Sequence, residues 1–135
     1  LCSRMRRGIL YRIMKENGCN KLALGHHLDD MIETLLMNMF YQGNMRKMEP
    51  KYHSDEYDVD IIRPLAFVEE DTIIKYVKRI GAPVMGCNCR LYQVKMDPKR
   101  LETKVLIKTL EKKNPEIRKS MKSALMDKKD NKREE

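Results

Sequence analysis

The stretch from Leu22 to Asp30, Leu-Ala-Leu-Gly-His-His-Leu-Asp-Asp, constrains the fold of this chain more than any other. Its apolar start is too short for a helix and is typical of a buried strand. Asp29 or Asp30 can cap the helix that follows, and Glu33 then lies in the first turn, where the helix dipole favours negative charge. The stretch therefore predicts a strand, a polar switch and a helix. In α/β proteins, ligands bind at such switches, at the carboxyl ends of strands.

Apolar periodicity and turn residues predict alternating helices and strands along the rest of the chain. We predict helices over residues 4–17, about 29–40 and 68–80, strands over 21–24, 59–62 and 83–85, and a polar loop over 42–58. Two further helices follow Pro98 and are interrupted at Asn114-Pro115. This order is the pattern of a parallel sheet covered by helices, so we predict an α/β fold. Because a helix comes first, we expect that the chain is a piece of a longer protein.

Three regions follow from these boundaries: a domain portion over 1–96, a lysine-rich helical extension over 97–127, and a tail over 128–135. The tail contains no apolar residue and is predicted to be disordered. In the first helix we predict a buried stripe, formed by Met5, Ile9, Leu10, Ile13 and Met14.

Composition narrows the class of partner. The chain has 28 Lys and Arg against 20 Asp and Glu, a formal net charge of +8, which favours an anionic partner such as nucleic acid or a nucleotide. No apolar run approaches the roughly 18 residues that span a bilayer, and the start does not resemble a signal peptide. The four cysteines do not form the pattern of a secreted disulfide scaffold. We therefore predict a cytoplasmic protein without membrane partners.

Three of the cysteines lie at the ends of predicted elements. Cys87 and Cys89 follow a predicted strand, and Cys2 precedes the first helix. Thiolates in such places are candidate ligands of a metal or an iron–sulfur cluster. A four-cysteine zinc site would normally use two C-x-x-C pairs, and this chain has no complete one. The alternative is that they are ordinary buried thiols, the interpretation we favour for Cys19.

The polar switch allows several kinds of chemistry. His26, Asp29 and Asp30 could bind a divalent ion, contact nucleotide phosphates through magnesium, or act in general acid–base catalysis. The chain contains no Gly-rich phosphate loop of either common type, so a nucleotide site formed here is predicted to be incomplete. The competing interpretation is a capped helix with incidental histidines.

Five segments together carry a resemblance to a known family: CSRMRRGILYR (2–12), LGHHLDD (24–30), ETLLMNMFY (33–41), IRPLA (62–66) and CN (87–88). In this order they resemble the tRNA 2-thiocytidine synthetase family of PP-loop ATPases. The resemblance implies an adenine-nucleotide alpha-hydrolase-like, Rossmann-like fold. It implies an enzyme that activates a tRNA cytidine with ATP and Mg²⁺ and replaces the oxygen of the base with sulfur. It also implies a [4Fe-4S] cluster held by three cysteines.

The resemblance assigns roles to residues of this chain. Cys2 and Cys87 correspond to cluster ligands, with Cys89 as the alternative to Cys87. The segment Gly25, His26 and Asp29 corresponds to the ATP and magnesium pocket, and Asp29 and Asp30 are the candidate catalytic residues. Arg4, Arg6 and Arg7 are candidate RNA contacts, a role that rests mainly on their charge.

The chain also departs from the family pattern. The SGGxDS phosphate loop is missing, and Cys-Asn-Cys-Arg over 87–90 replaces a C-x-x-C pair followed by Gly-Ser. We therefore expect a C-terminal part of a tRNA thiolase that is inactive alone. Its expected partners are tRNA, ATP and a sulfur donor such as a cysteine desulfurase, and a homodimer is compatible with its Met-rich surfaces. Two alternatives stay open: a basic RNA-binding module with structural zinc, and a PP-loop ATPase acting on another substrate.

Overall fold

The computed structural model describes residues 2–83 and 97–126, which form five helices and three strands. The helices are α1 (Cys2–Glu16), α2 (Leu28–Gln42), α3 (Glu70–Ile80), α4 (Pro98–Lys113) and α5 (Ile117–Met126). The strands are β1 (Lys21–Ala23), β2 (Lys51–Ser54) and β3 (Val59–Ile62), and they form one sheet in the order β1-β3-β2.

The sheet confirms the predicted α/β class and adds an unpredicted strand. β1 pairs parallel to β3, with Leu22 opposite Ile61. β2 pairs antiparallel to β3, with Tyr52 opposite Ile61, and it lies inside the stretch that we predicted to be a loop. That prediction was wrong at β2 because the strand is mostly exposed and therefore lacks the apolar alternation that marks a half-buried strand.

The first turn of α2 differs from the predicted cap. The N-cap residue is His27, not Asp29 or Asp30. Asp30 is the third helical residue, and its Oδ2 accepts a hydrogen bond from the backbone N–H of His27 at 3.1 Å. This arrangement follows the logic of a capping box, in which an acidic side chain reaches back to the N-cap backbone. The Asp30 carboxylate therefore stabilises the helix start from inside the first turn.

Helix α1 buries a narrower face than predicted. Tyr11 and Met14 pack with Val59 and Ile61 of β3 in one apolar cluster. The predicted burial of three residues was wrong, because their side chains are exposed by 61% (Met5), 50% (Ile9) and 47% (Ile13). The helix carries apolar residues on two sides, and their spacing does not tell which side packs against the sheet. The prediction that Cys19 is buried was also wrong, since its side chain is exposed.

The second apolar cluster joins the lysine-rich extension to the rest of the fold. Its buried members are Leu28, Met31 and Ile32 of α2, Ala66, Ile107 of α4 and Leu125 of α5. The two helices predicted after Pro98 are confirmed, as is the break between them at Asn114 and Pro115. Because Ile107 and Leu125 share a core with α2, the extension packs as part of the same structural unit.

Some predictions fall outside the described residues. They concern Cys87, Cys89, the tail over 128–135 and all of the predicted strand over 83–85 except Pro83. Across the described ranges, no helix is both long enough and apolar enough to cross a membrane.

His53 in the β2–β3 hairpin provides a small test of this fold. Its Nδ1 lies 3.1 Å from Asp60 Oδ1, and this hydrogen bond raises the pKa of His53 above its ordinary value of 6.5. A raised histidine pKa stabilises the hairpin below about pH 6.5, and that contribution is lost as the pH rises through the folded-state value. We expect Asp60→Asn to return the pKa of His53 towards 6.5, as measured by NMR titration of its ring protons. Asp55→Asn is the control with a smaller effect, and equal effects of both changes would contradict the paired geometry.

Candidate functional site

A cavity of about 490 Å³ lies at the carboxyl end of β1. Its polar lining consists of Arg6, Arg7, His26, Asp30, Tyr52 and Arg63, together with the apolar or small residues Leu10, Leu24 and Gly25. Because β1 and β3 are parallel, their carboxyl ends meet at the same edge of the sheet. Residues Gly25 and His26 follow β1 closely, and Arg63 follows β3 directly. The cavity therefore lies where the polar switch predicted a ligand site.

The charge of the cavity favours an anion. Three arginines and one carboxylate line it. The Nη1 of Arg63 donates to the carbonyl of Glu49, and its guanidinium lies 5.4 Å from the centre of the Tyr52 ring. Within the described residues, Arg63 Nε and His26 Nδ1 are buried and have no hydrogen-bond partner. Buried polar groups are normally paired, so these two atoms point to a polar ligand in the cavity.

His26 is neutral at pH 7 in this environment. Burial lowers its pKa below 6.5, the positive charge of Arg63 lowers it further, and the carboxylate of Asp30 opposes both effects. A neutral imidazole offers one donor and one acceptor, whereas the charged form offers two donors. The positive charge of the cavity at neutral pH therefore comes from its arginines.

The two neighbouring carboxylates of the switch face different surroundings. Asp30 lines the cavity, whereas Asp29 is only 8% exposed and is not among the lining residues. Asp29 Oδ2 accepts from the backbone N–H of Glu70 at 2.8 Å, and its Oδ1 pairs with Arg118. Burial raises the pKa of Asp29, but the hydrogen bonds from Glu70 and Arg118 together outweigh it and hold the pKa below 3.8. Both oxygens of Asp29 are thus occupied within the protein.

The extension supplies three cations to this region. The ion pairs are Arg100 with Asp30 and Glu33, Lys104 with Glu70, and Arg118 with Asp29 and Glu111. Sequence patterns did not predict the contacts with α2 and α3, because their partners lie 34 to 89 residues apart in the chain. The basic extension thus neutralises the acidic starts of α2 and α3.

Most predicted site residues whose side chains are described come together. Gly25, His26 and Asp30 meet Arg6 and Arg7 in the cavity. The side chains of Cys2 and Arg4, like Cys87 and Cys89, lie outside the described part of the structure.

Sequence reasoning missed two of the cavity residues, Arg63 and Tyr52. The carboxyl-end rule could have found Arg63, which directly follows a predicted strand, whereas Tyr52 lies on the unpredicted strand β2.

A metal site is not formed by the described residues alone. Among the side chains described over 5–83 and 97–126, no group of three or more His, Cys, Asp or Glu could hold a metal ion. The exposed Cys19 precedes β1 and so lies at the opposite end of that strand from the cavity. Mg²⁺ is commonly bound by one or two carboxylates together with substrate phosphates, so the predicted magnesium would need the nucleotide to complete its coordination.

Comparison with known proteins gives a consistent set of similarities. A family described as a PP-loop domain matches residues 2–84. The tRNA-cytidine(32) 2-sulfurtransferase of Geobacter metallireducens is 44% identical over 125 residues, and that of Coxiella burnetii is 47% identical over 125 residues. Each alignment covers 93% of this chain and 48% of the relative.

A solved structure is similar as well. The U34-tRNA thiolase NcsA from Methanococcus maripaludis, with its [4Fe-4S] cluster, matches with a TM-score of 0.73 and 27% identity. The match covers 92% of this chain and 41% of that one, so this chain spans about half the length of the proteins it resembles, or less. The resemblance predicted from the sequence motifs is confirmed: the chain belongs to the PP-loop domain family.

Proposed function

We propose that the protein containing this chain is an ATP-dependent tRNA sulfurtransferase, which replaces the oxygen at C2 of a cytidine with sulfur. The observation that carries the proposal is the arginine-lined cavity at the carboxyl end of β1, with two buried polar atoms that lack partners. Membership of the PP-loop family supports ATP as a ligand, and the similar tRNA-cytidine(32) 2-sulfurtransferases support a tRNA cytidine as the substrate.

The proposed chemistry follows from the poor leaving ability of the cytosine oxygen. The oxygen at C2 attacks the α-phosphate of ATP, a new O–P bond forms, and pyrophosphate leaves. A sulfur nucleophile then attacks C2, the C–O bond breaks, and AMP carries the oxygen away. The arginines of the cavity are suited to this reaction because fixed positive charge stabilises the negative charge that develops on the transferring phosphoryl group.

Individual residues of the cavity take distinct parts in this proposal. Arg6, Arg7 and Arg63 bind phosphates of ATP or tRNA, and neutral His26 offers a directional hydrogen bond. Asp30, the carboxylate that lines the cavity, is the candidate acid–base residue and would be available to hold a phosphate-bound Mg²⁺. Asp29 was predicted to share these roles; its two carboxylate oxygens are engaged by the Glu70 N–H and by Arg118, and it does not line the cavity.

The cavity assignment is tested by Arg63→Gln and Asp30→Asn in the complete protein. We expect each to reduce formation of 2-thiocytidine on a tRNA transcript by roughly 100-fold, because each removes a group fixed at the reacting centre. The product is measured by mass spectrometry of nucleosides. Arg12→Gln is the matched control, since Arg12 is an exposed residue of α1 that pairs with Glu16 and does not line this cavity. Equal activity of all three variants would contradict the assignment.

The sulfur carrier is proposed to be a [4Fe-4S] cluster bound by Cys2 and Cys87, with Cys89 as the alternative to Cys87. Support comes from the resemblance and from the cluster of the similar tRNA thiolase. The side chains of these cysteines lie outside the described residues. We further propose that a cysteine desulfurase or another donor supplies the sulfur, and that the complete protein forms a homodimer.

Metal analysis tests the cluster. We expect anaerobically purified complete protein to contain about four iron and four sulfide per chain, with broad absorbance near 400 nm. Cys2→Ser is expected to lose most of this iron, whereas Cys19→Ser, which changes an exposed thiol at the other end of β1, should retain it. Stoichiometric zinc without labile sulfide would instead support the RNA-binding module with structural zinc.

A further inference from the structure

Arg100 in the first turn of α4 lies beside the cavity carboxylate without lining the cavity itself. Its Nη2 is 3.3 Å from Asp30 Oδ1, and its Nε donates to Glu33 Oε2 at 2.9 Å. Glu33 is only 5% exposed and lies three residues after Asp30, on the same side of α2. The Arg100 guanidinium is therefore held by the buried carboxylate of Glu33 and contacts Asp30, the candidate catalytic residue.

The other oxygen of Asp30 is held by the backbone. Asp30 Oδ2 accepts a hydrogen bond from the backbone N–H of His27 at 3.1 Å. Arg100 contacts the other oxygen, Oδ1, which receives no hydrogen bond from this turn. A planar guanidinium donates in fixed directions, whereas a lysine ammonium acts as a point charge. Together these two contacts restrain rotation of the Asp30 carboxylate about its own side-chain bonds.

We propose that Arg100 is a positioning residue, which orients the Asp30 carboxylate towards a nucleotide bound in the cavity. The lysine-rich extension thereby contributes to the site although Arg100 does not touch the ligand. This inference rests on the proposed function, because it requires the cavity to bind a nucleotide.

Arg118 offers a matched control within the same extension. It pairs with Asp29 and Glu111, so its removal disturbs the same contact between the extension and α2. Asp29, however, does not line the cavity. If the extension has a purely structural role, removal of Arg100 and removal of Arg118 should change nucleotide binding equally. If Arg100 positions Asp30, only its removal should weaken nucleotide binding.

The test measures binding of α,β-methylene-ATP to the complete protein by calorimetry, at a temperature where circular dichroism shows every variant folded. We expect Arg100→Met to raise Kd on the order of 10-fold, since misplacement of a binding group weakens every contact that depends on its geometry. Arg100→Lys should fall between Arg100→Met and the wild type. Arg118→Met should lower Tm but leave Kd within about twofold.

A double variant shows whether Arg100 acts through Asp30. We expect Asp30→Asn combined with Arg100→Met to bind the analogue no more weakly than Asp30→Asn alone, because residues that act as one unit are not additive. Additive effects, or equal Kd values for the Arg100→Met and Arg118→Met variants, would overturn the positioning role.

The Arg63→Gln variant separates the two proposals. If neither Arg63→Gln nor Arg100→Met changes Kd, the assignment of a nucleotide site to this cavity is wrong. If Arg63→Gln raises Kd and Arg100→Met does not, only the inference about Arg100 fails.

Discussion

Arg118→Met is expected to lower the free energy of unfolding by about 3 kcal/mol, because it leaves two carboxylates without their cation in a largely buried setting. Asp29 keeps the hydrogen bond from the Glu70 N–H but loses its guanidinium, and Glu111 loses the hydrogen bond from Arg118 Nε. Urea denaturation at pH 7 measures the loss. Lys119→Met is the control, since Lys119 forms an exposed pair with Glu116 and should cost less than about 1 kcal/mol. Similar losses for both variants would contradict the importance of the buried pair.

The same variant should also change the response to acid. Because the pKa of Asp29 is depressed in the folded chain, its ionised form stabilises the fold above about pH 4, and this contribution is lost as the pH falls through the folded-state value. Without Arg118, fewer contacts oppose the effect of burial, so the pKa of Asp29 is higher than in the wild type. We therefore expect acid unfolding of the Arg118→Met variant to begin at a higher pH, and Asp29→Asn in the same background to restore part of the lost stability. Identical acid midpoints would contradict this linkage.

Leu28→Ala is expected to destabilise the fold by about 2–5 kcal/mol, the usual cost of emptying a fully buried leucine site. Leu28 has no exposed surface and packs in the cluster that contains Ile107 and Leu125. The variant should also speed amide exchange in α4 and α5, because that cluster attaches them to α2. Leu101→Ala is the matched control, since Leu101 is 47% exposed and should change stability by less than about 1 kcal/mol.

Urea denaturation and hydrogen exchange measure these two leucine variants. A Leu28→Ala variant as stable as Leu101→Ala would show that the extension is not held by this core.

Local sequence signals predicted the elements around the site. A short apolar run, a glycine and a helix with acidic residues in its first turn were enough to place β1, the switch and α2. Strand β2 escaped prediction because it is exposed and is stabilised by hydrogen bonds to β3 rather than by burial of its own side chains. Likewise, α1 carries apolar residues on two sides, and only its packing with β3 shows that Tyr11 and Met14 face the core.

By itself, the sequence determined that a polar switch follows β1 and leads into a helix, since strand, turn and helix start depend on neighbouring residues. Only the tertiary structure decided which carboxylate of that switch faces the cavity. Successive residues of an α-helix point about 100° apart, so Asp29 and Asp30 cannot share one environment. Burial of Leu28, Met31 and Ile32 against the extension sets the rotation of α2. That rotation turns Asp29 towards Arg118 and leaves Asp30 at the cavity, held by Arg100.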